Sequence, residues 1–189
     1  MKHIIRHFML MASFVALVGC ATPARMGNMT ISPTDMAKYN GDTPLFESIF
    51  VKSVHGGEDT NPLWTSQIGN NEFRGALENS LLAARLLERV KGTGRYSLEV
   101  KLMSIDQPVF GASFTVTTNI RYILREVKSD KVIFEENLLA PYTATMSDAL
   151  YGVKRLRLAN EGSARENINR LISRLYQLNI QAGEIIIKK

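Results

Sequence analysis

The sequence predicts an α+β domain. The expected form is a two-layer sandwich, an antiparallel sheet of about four strands with two helices packed on one face, in the order β-α-β-β-β-α. Three observations lead there. Two segments, around 70–90 and 147–178, repeat apolar residues at three- and four-residue spacing. Three consecutive segments between them alternate apolar and polar residues and are joined by short turn-forming links. The 189 residues are 45% hydrophobic and 22% charged, which is material for one good-sized core and not several.

Taken in order, 45–54 is the first strand, with Phe46, Ile49, Phe50, Val51 and Val54. Gly56-Gly57-Glu58-Asp59 breaks it. Trp64 is expected either to pack against the start of the next helix or to stand as an exposed anchor. The first helix is expected from Asn70 to about Val90, with Phe73, Ala76, Leu77, Leu81 and Ala84 on one stripe. Asn70 or Asn71 caps it, Glu72 suits its positive end, and Lys91-Gly92-Thr93-Gly94 stops it.

Three strands follow. Tyr96, Leu98, Val100 and Leu102 form one inward set, and Phe114, Val116, Thr118, Ile120, Tyr122 and Leu124 the next. Val132, Phe134 and Leu138 lie on one face of the third. The links, Asp106-Gln107-Pro108 with Gly111 and then Lys128-Ser129-Asp130, are short enough for an antiparallel meander. The last helix is expected from about Ser147 to Leu178, its stripe interrupted by Asn160 and Asn167. Glu161 with Arg165 and Glu166 with Arg170 stand in the favourable acid-first order. Ile185-Ile186-Ile187 is either a closing strand or a partner-binding tail.

The start of the chain reads as an address. Lys2 and Arg6 precede an uncharged run, Phe8 to Val18, of signal-peptide length and too short to span a bilayer. It ends in Leu17-Val18-Gly19-Cys20, and Cys20 is the only cysteine of the chain. These four residues resemble the lipobox of bacterial lipoproteins. That resemblance implies removal of residues 1–19 and acylation of Cys20, with the acyl chains holding the protein to a membrane. Ala21 follows, where Asp is the usual inner-membrane retention signal, so the outer membrane, facing the periplasm, is implied. Residues 20–44, with Pro23, Pro33 and Pro44, are expected to be a lipidated N-terminus and flexible tether. Its reach would be roughly 25–30 Å. Within it, Ser32 is placed to cap a short helix that Pro33 begins. Residues 45–189 are then the periplasmic domain.

The formal charge of +5 includes Lys2 and Arg6, so the chain from Cys20 carries only +3. That leaves nucleic acid without support as a partner. The same part of the chain has one histidine, His55, and no Gly-x-Ser-x-Gly elbow. Clustered His and Cys ligands are excluded by count, and no cofactor or metal is called for. His55 reads as a surface turn, and Glu58-Asp59 is the one adjacent carboxylate pair before the meander. Gly92-Thr93-Gly94 follows a helix and lacks the rest of a phosphate-binding motif.

Two sets of residues are candidate contacts. Lys154, Arg155 and Arg157 form a basic cluster able to meet an anionic head group or an acidic partner. Thr115, Thr117, Asn119 and Arg121, with Ile123, would line the sheet face away from the helices. That polar face suits a protein partner or solvent better than an acyl chain.

The domain also resembles small proteobacterial envelope lipoproteins. The resemblance rests on the lipobox, on Phe73-x-x-Ala76-Leu77-x-x-Ser80-Leu81, on a Tyr-containing meander, and on Arg155-x-Arg157-x-Ala159-x-Glu161 followed by Asn167-Ile168. Lipoproteins that assist lipopolysaccharide assembly and auxiliary lipoproteins of lipid-transport ABC systems share this architecture. The resemblance implies a non-enzymatic accessory that binds an envelope protein or a lipid. Two alternatives stand beside it: a structural lipoprotein that binds peptidoglycan or another envelope protein, and an enzyme on cell-wall or lipid substrates that would need His55 or a carboxylate pair.

Overall fold

The computed structural model describes residues 21–36, 39, 43–61, 65–181 and 184–187. Trp64 and Leu17 to Cys20, the residues that resemble a lipobox, lie outside the described residues. The architecture is α+β, a four-stranded sheet with helices packed on one face. Strands β1 (Ile49–His55), β2 (Tyr96–Asp106), β3 (Phe114–Glu126) and β4 (Val132–Ala144) lie side by side in sequence order. Helices α3 (Asn70–Ala83) and α4 (Gly152–Gln177) cover the inner face. Two short helices, α1 (Met26–Met29) and α2 (Pro33–Met36), precede β1.

The sheet is mixed, which corrects the expectation of an antiparallel one. β2, β3 and β4 form the antiparallel meander, but β1 joins β2 in parallel. The reason is α3, which returns the chain to the end where β1 began. A bulge at Lys52 shifts the β1 register, which is why Ile49, Val51 and Val54 all face inward without strict alternation. In β3 the alternation is regular from Phe114 to Leu124, as one covered face requires.

Two helix boundaries differ from the expected ones. α3 stops at Ala83, seven residues short of Val90, where Arg85 takes a left-handed backbone (φ 56°). Continuing the helix would have put Leu86 nearly opposite the apolar stripe, in solvent. Turning instead buries Leu86 completely and lays 86–88 along β1. The amide of Ile49 donates to the Leu86 carbonyl (3.0 Å) and that of Glu88 to the Ile49 carbonyl (2.8 Å). Gly92 (φ 88°) serves the later turn, not a helix end. At the other boundary α4 begins at Gly152 and not Ser147. Residues 145–148 form a separate turn, in which the Asp148 carboxylate accepts from the Thr145 amide (2.7 Å) and hydroxyl (2.8 Å).

The free tether is corrected in large part. Ala24, Met29 and Ile31 are core residues, and α1 packs against both α3 and α4. The Ile31 amide donates to Ser80 Oγ (3.1 Å). Glu161, nearly fully buried, accepts from the Arg25 amide (2.9 Å) and the Asn28 side chain (2.8 Å) and pairs with Arg157 (3.4 Å). It does not pair with Arg165, which donates instead to the Asn28 carbonyl. The expected Glu166–Arg170 pair forms, at 3.1 Å. Ser32 Oγ accepts from the Asp35 amide (3.3 Å), the cap expected of it.

The polar positions in the α4 stripe enter the sheet. Ser163 Oγ accepts from the Thr118 amide (2.9 Å) and donates to the Ala140 carbonyl (2.6 Å), so it bridges the β3–β4 ladder. The Asn167 amide donates to the Leu138 carbonyl (2.8 Å), and its oxygen accepts from the Tyr122 hydroxyl (2.9 Å). Burial pushes the Tyr122 phenol well above its usual pKa. The chain ends in a separate hairpin of β5 (Leu178–Gln181) and β6 (Glu184–Ile187), so Ile185–Ile187 is a strand, paired with β5 and not with the main sheet.

Candidate binding surfaces

The outer face of the sheet has no covering layer among the described residues. Thr115, Thr117, Asn119, Arg121 and Ile123 point outward from β3, between inward residues that are buried. Their neighbours on β4 are Thr143, Pro141, Leu139, Asn137 and Glu135 in turn. The Thr115 and Thr143 hydroxyls are 2.8 Å apart, and Arg121 pairs with Glu135. The sequence-predicted face is therefore one surface, polar with an apolar stretch at Leu139 and Pro141.

The face dips near β1 into a depression of about 220 Å³, lined by Ser53, His55, Glu99, Lys101, Arg121 and Ile123. His55 is the last residue of β1 and belongs to this face, not to the turn after it. A hydrogen bond from Lys52 (2.7 Å) is the main cause that holds the Glu99 carboxyl below the usual range. No group of three or more His, Cys, Asp or Glu is arranged to hold a metal ion among the described residues.

The basic cluster is not brought together. Lys154 is exposed, but Arg155 is buried, with both terminal guanidinium nitrogens engaged. Its guanidinium donates to the carbonyls of Ala149 (2.9 Å), Leu150 (3.2 Å) and Gly111 (3.0 Å) and lies over the Phe114 ring. Arg157 pairs with Glu161 and donates to Thr22 Oγ1 (2.6 Å). Both arginines tie loops and the N-terminal segment to α4. Neither is free to grip a head group.

One surface was missed. The β2–β3 loop shows Val109 (93% exposed) and Phe110 (86%), and the β4–α4 loop shows Leu150 (77%) and Tyr151 (70%). Arg155 holds these two loops side by side. The signal was present as an apolar pair set between Pro108 and Gly111, where a turn is expected to be polar.

No protein-family model matches the chain, and no curated protein matches it. Solved structures do. A DUF330 protein from Xanthomonas campestris is 9% identical, with a TM-score of 0.54 over 80% of this chain and 90% of that one. A candidate lipoprotein from Caulobacter crescentus is 14% identical, with a TM-score of 0.46 over 69% and 88%. The first of these likenesses shows a shared fold.

Proposed function

We propose that the chain is a periplasm-facing envelope lipoprotein, held to the outer membrane by acyl chains on Cys20. It acts by binding, as an accessory in envelope assembly or lipid transport, and not as an enzyme. The lipobox Leu17-Val18-Gly19-Cys20 and the Ala21 that follows it support the anchor and its membrane. The observation that carries the binding role is the uncovered sheet face. Strand β3 presents Thr115, Thr117, Asn119 and Arg121, and β1 presents His55, on one face, with α3 and α4 on the other side. A face with this many hydroxyl, amide and paired charged groups fits a protein surface, since an acyl chain would leave them unpaired.

The test is in-cell photo-cross-linking from position 117, with Lys128 at the far turn as the control site. The expected product is a transporter or outer-membrane assembly protein joined at 117 and not at 128. Recovery of only this chain and bulk lipid would overturn the accessory role. Co-sedimentation with purified cell wall would then favour the structural alternative. A hydrolytic activity lost in His55→Ala would overturn the non-enzymatic reading.

A further inference from the structure

We infer that the end of the domain bearing Val109, Phe110, Met146, Leu150 and Tyr151 lies against the bilayer that holds the anchor, with these side chains in the membrane interface. This rests on the lipid anchor proposed above. The first argument is where the chain leaves the domain. Thr22 is fixed on both sides: its carbonyl accepts from Ser66 Oγ (2.7 Å) and its hydroxyl from Arg157 (2.6 Å). Ala21 is itself buried. Cys20 is two residues from Thr22, within about 7 Å between Cα atoms. No slack segment separates the acylated residue from the packed domain, so the membrane surface must meet the domain where Thr22 lies.

Thr22 lies at the apolar end. Its partner Arg157 is six positions along α4 from Tyr151, about 9 Å on the helix axis. Gln107, which opens the β2–β3 loop, donates to the Ser66 carbonyl (3.2 Å) and to Asn160 (2.9 Å). Ser66 thus ties the N-terminal segment to the loop that carries Val109 and Phe110.

The second argument is the character of the surface. Met146 is half exposed, and the other four side chains are at least 70% exposed. They form two adjacent pairs on loops that the buried Arg155 clamps through Gly111, Ala149 and Leu150. Apolar tips presented rigidly beside a lipid anchor have a low-cost place to go. Tyr151, with its polar hydroxyl, suits the head-group level. Lys154, exposed one turn further on, can reach anionic phosphate while its stem stays with the tips. The Asp148 carboxylate in the same loop is occupied by Thr145.

The test uses the full chain purified from membranes and reconstituted into phosphatidylethanolamine/phosphatidylglycerol vesicles. A fluorophore is attached through Phe110→Cys, Leu150→Cys or, as the control at the opposite turn, Lys128→Cys. Nitroxide-bearing lipids should quench the 110 and 150 probes several-fold and leave the 128 probe unchanged. Equal, weak quenching at all three sites in protein that floats with the vesicles would overturn the membrane contact and leave the anchor standing. Protein that fails to float, or floats equally well as Cys20→Ser, would overturn the anchor and this inference with it. Probes at 110 that cross-link to a second copy without being quenched would reassign the tips to self-association and overturn the inference.

Discussion

Glu161→Ala should unlatch the N-terminal segment from the domain. The carboxylate is 1% exposed and accepts two hydrogen bonds, from the Arg25 amide and the Asn28 side chain, besides facing Arg157. A hydrogen bond to a charged group contributes about 1.5–3 kcal/mol, and breaking a buried ion pair costs about 3–5 kcal/mol. These overlap, so the loss is about 3–5 kcal/mol and falls first on residues 21–31. For a chain of this size a loss of that order lowers Tm by roughly 6–20 °C if unfolding stays cooperative. If the segment detaches alone, amide exchange at 24–31 should accelerate at least a hundredfold while β3 stays protected, since 1.4 kcal/mol is about tenfold. Hydrogen exchange with thermal unfolding separates these cases. Either one supports the latch. A Tm within 2 °C of the parent and unchanged exchange at Arg25 would refute the reasoning. The placement of the domain against the membrane depends on this latch, because an unlatched segment would become a slack tether between Cys20 and the domain.

Ser163→Ala should cost about 1–3 kcal/mol in denaturant unfolding, because it leaves the Thr118 amide and the Ala140 carbonyl without the hydroxyl that joins them. Gly162→Ala should destabilise by about 1–3 kcal/mol, since the added methyl meets the Tyr142 ring, and Tyr142→Ala should recover much of that loss in the double variant. The Glu99 carboxyl is held low by Lys52, so its share of stability is present above the unfolded carboxylate pKa. That share is lost as pH falls through the lower folded value. Unfolding curves below pH ~4 should therefore be less steep in pH for Lys52→Met than for the parent; identical slopes would remove this pair from the account.

What was legible in the sequence was what periodicity records. The inward sets of β2 and β3 could be read because one sheet face is covered and the other is not, which enforces alternation from Leu98 to Leu102 in β2 and from Phe114 to Leu124 in β3. Strand direction leaves no such trace, and the parallel β1–β2 pairing follows only from where α3 delivers the chain. The docking of the N-terminal segment was also invisible. Ala24, Met29 and Ile31 have no regular spacing, and the carboxylate that fastens them lies 136 residues from Arg25. Arg155 misled for a similar reason. A basic residue reads as exposed unless the carbonyls that surround it are known, and those come from two different loops. The outward set from Thr115 to Ile123 was legible because it is the complement of the β3 core set.

The central claim is that Cys20 carries the anchor and that the domain begins immediately after it. Mass spectrometry of the N-terminal peptide, from protein extracted from the outer-membrane fraction, tests this most directly. The account predicts a chain starting at Cys20 with a diacylglyceryl thioether and an acylated amine. It also predicts no such peptide, and loss of the protein from that fraction, in Cys20→Ser. A mature chain with an unmodified cysteine, or one still carrying residues 1–19, would contradict it.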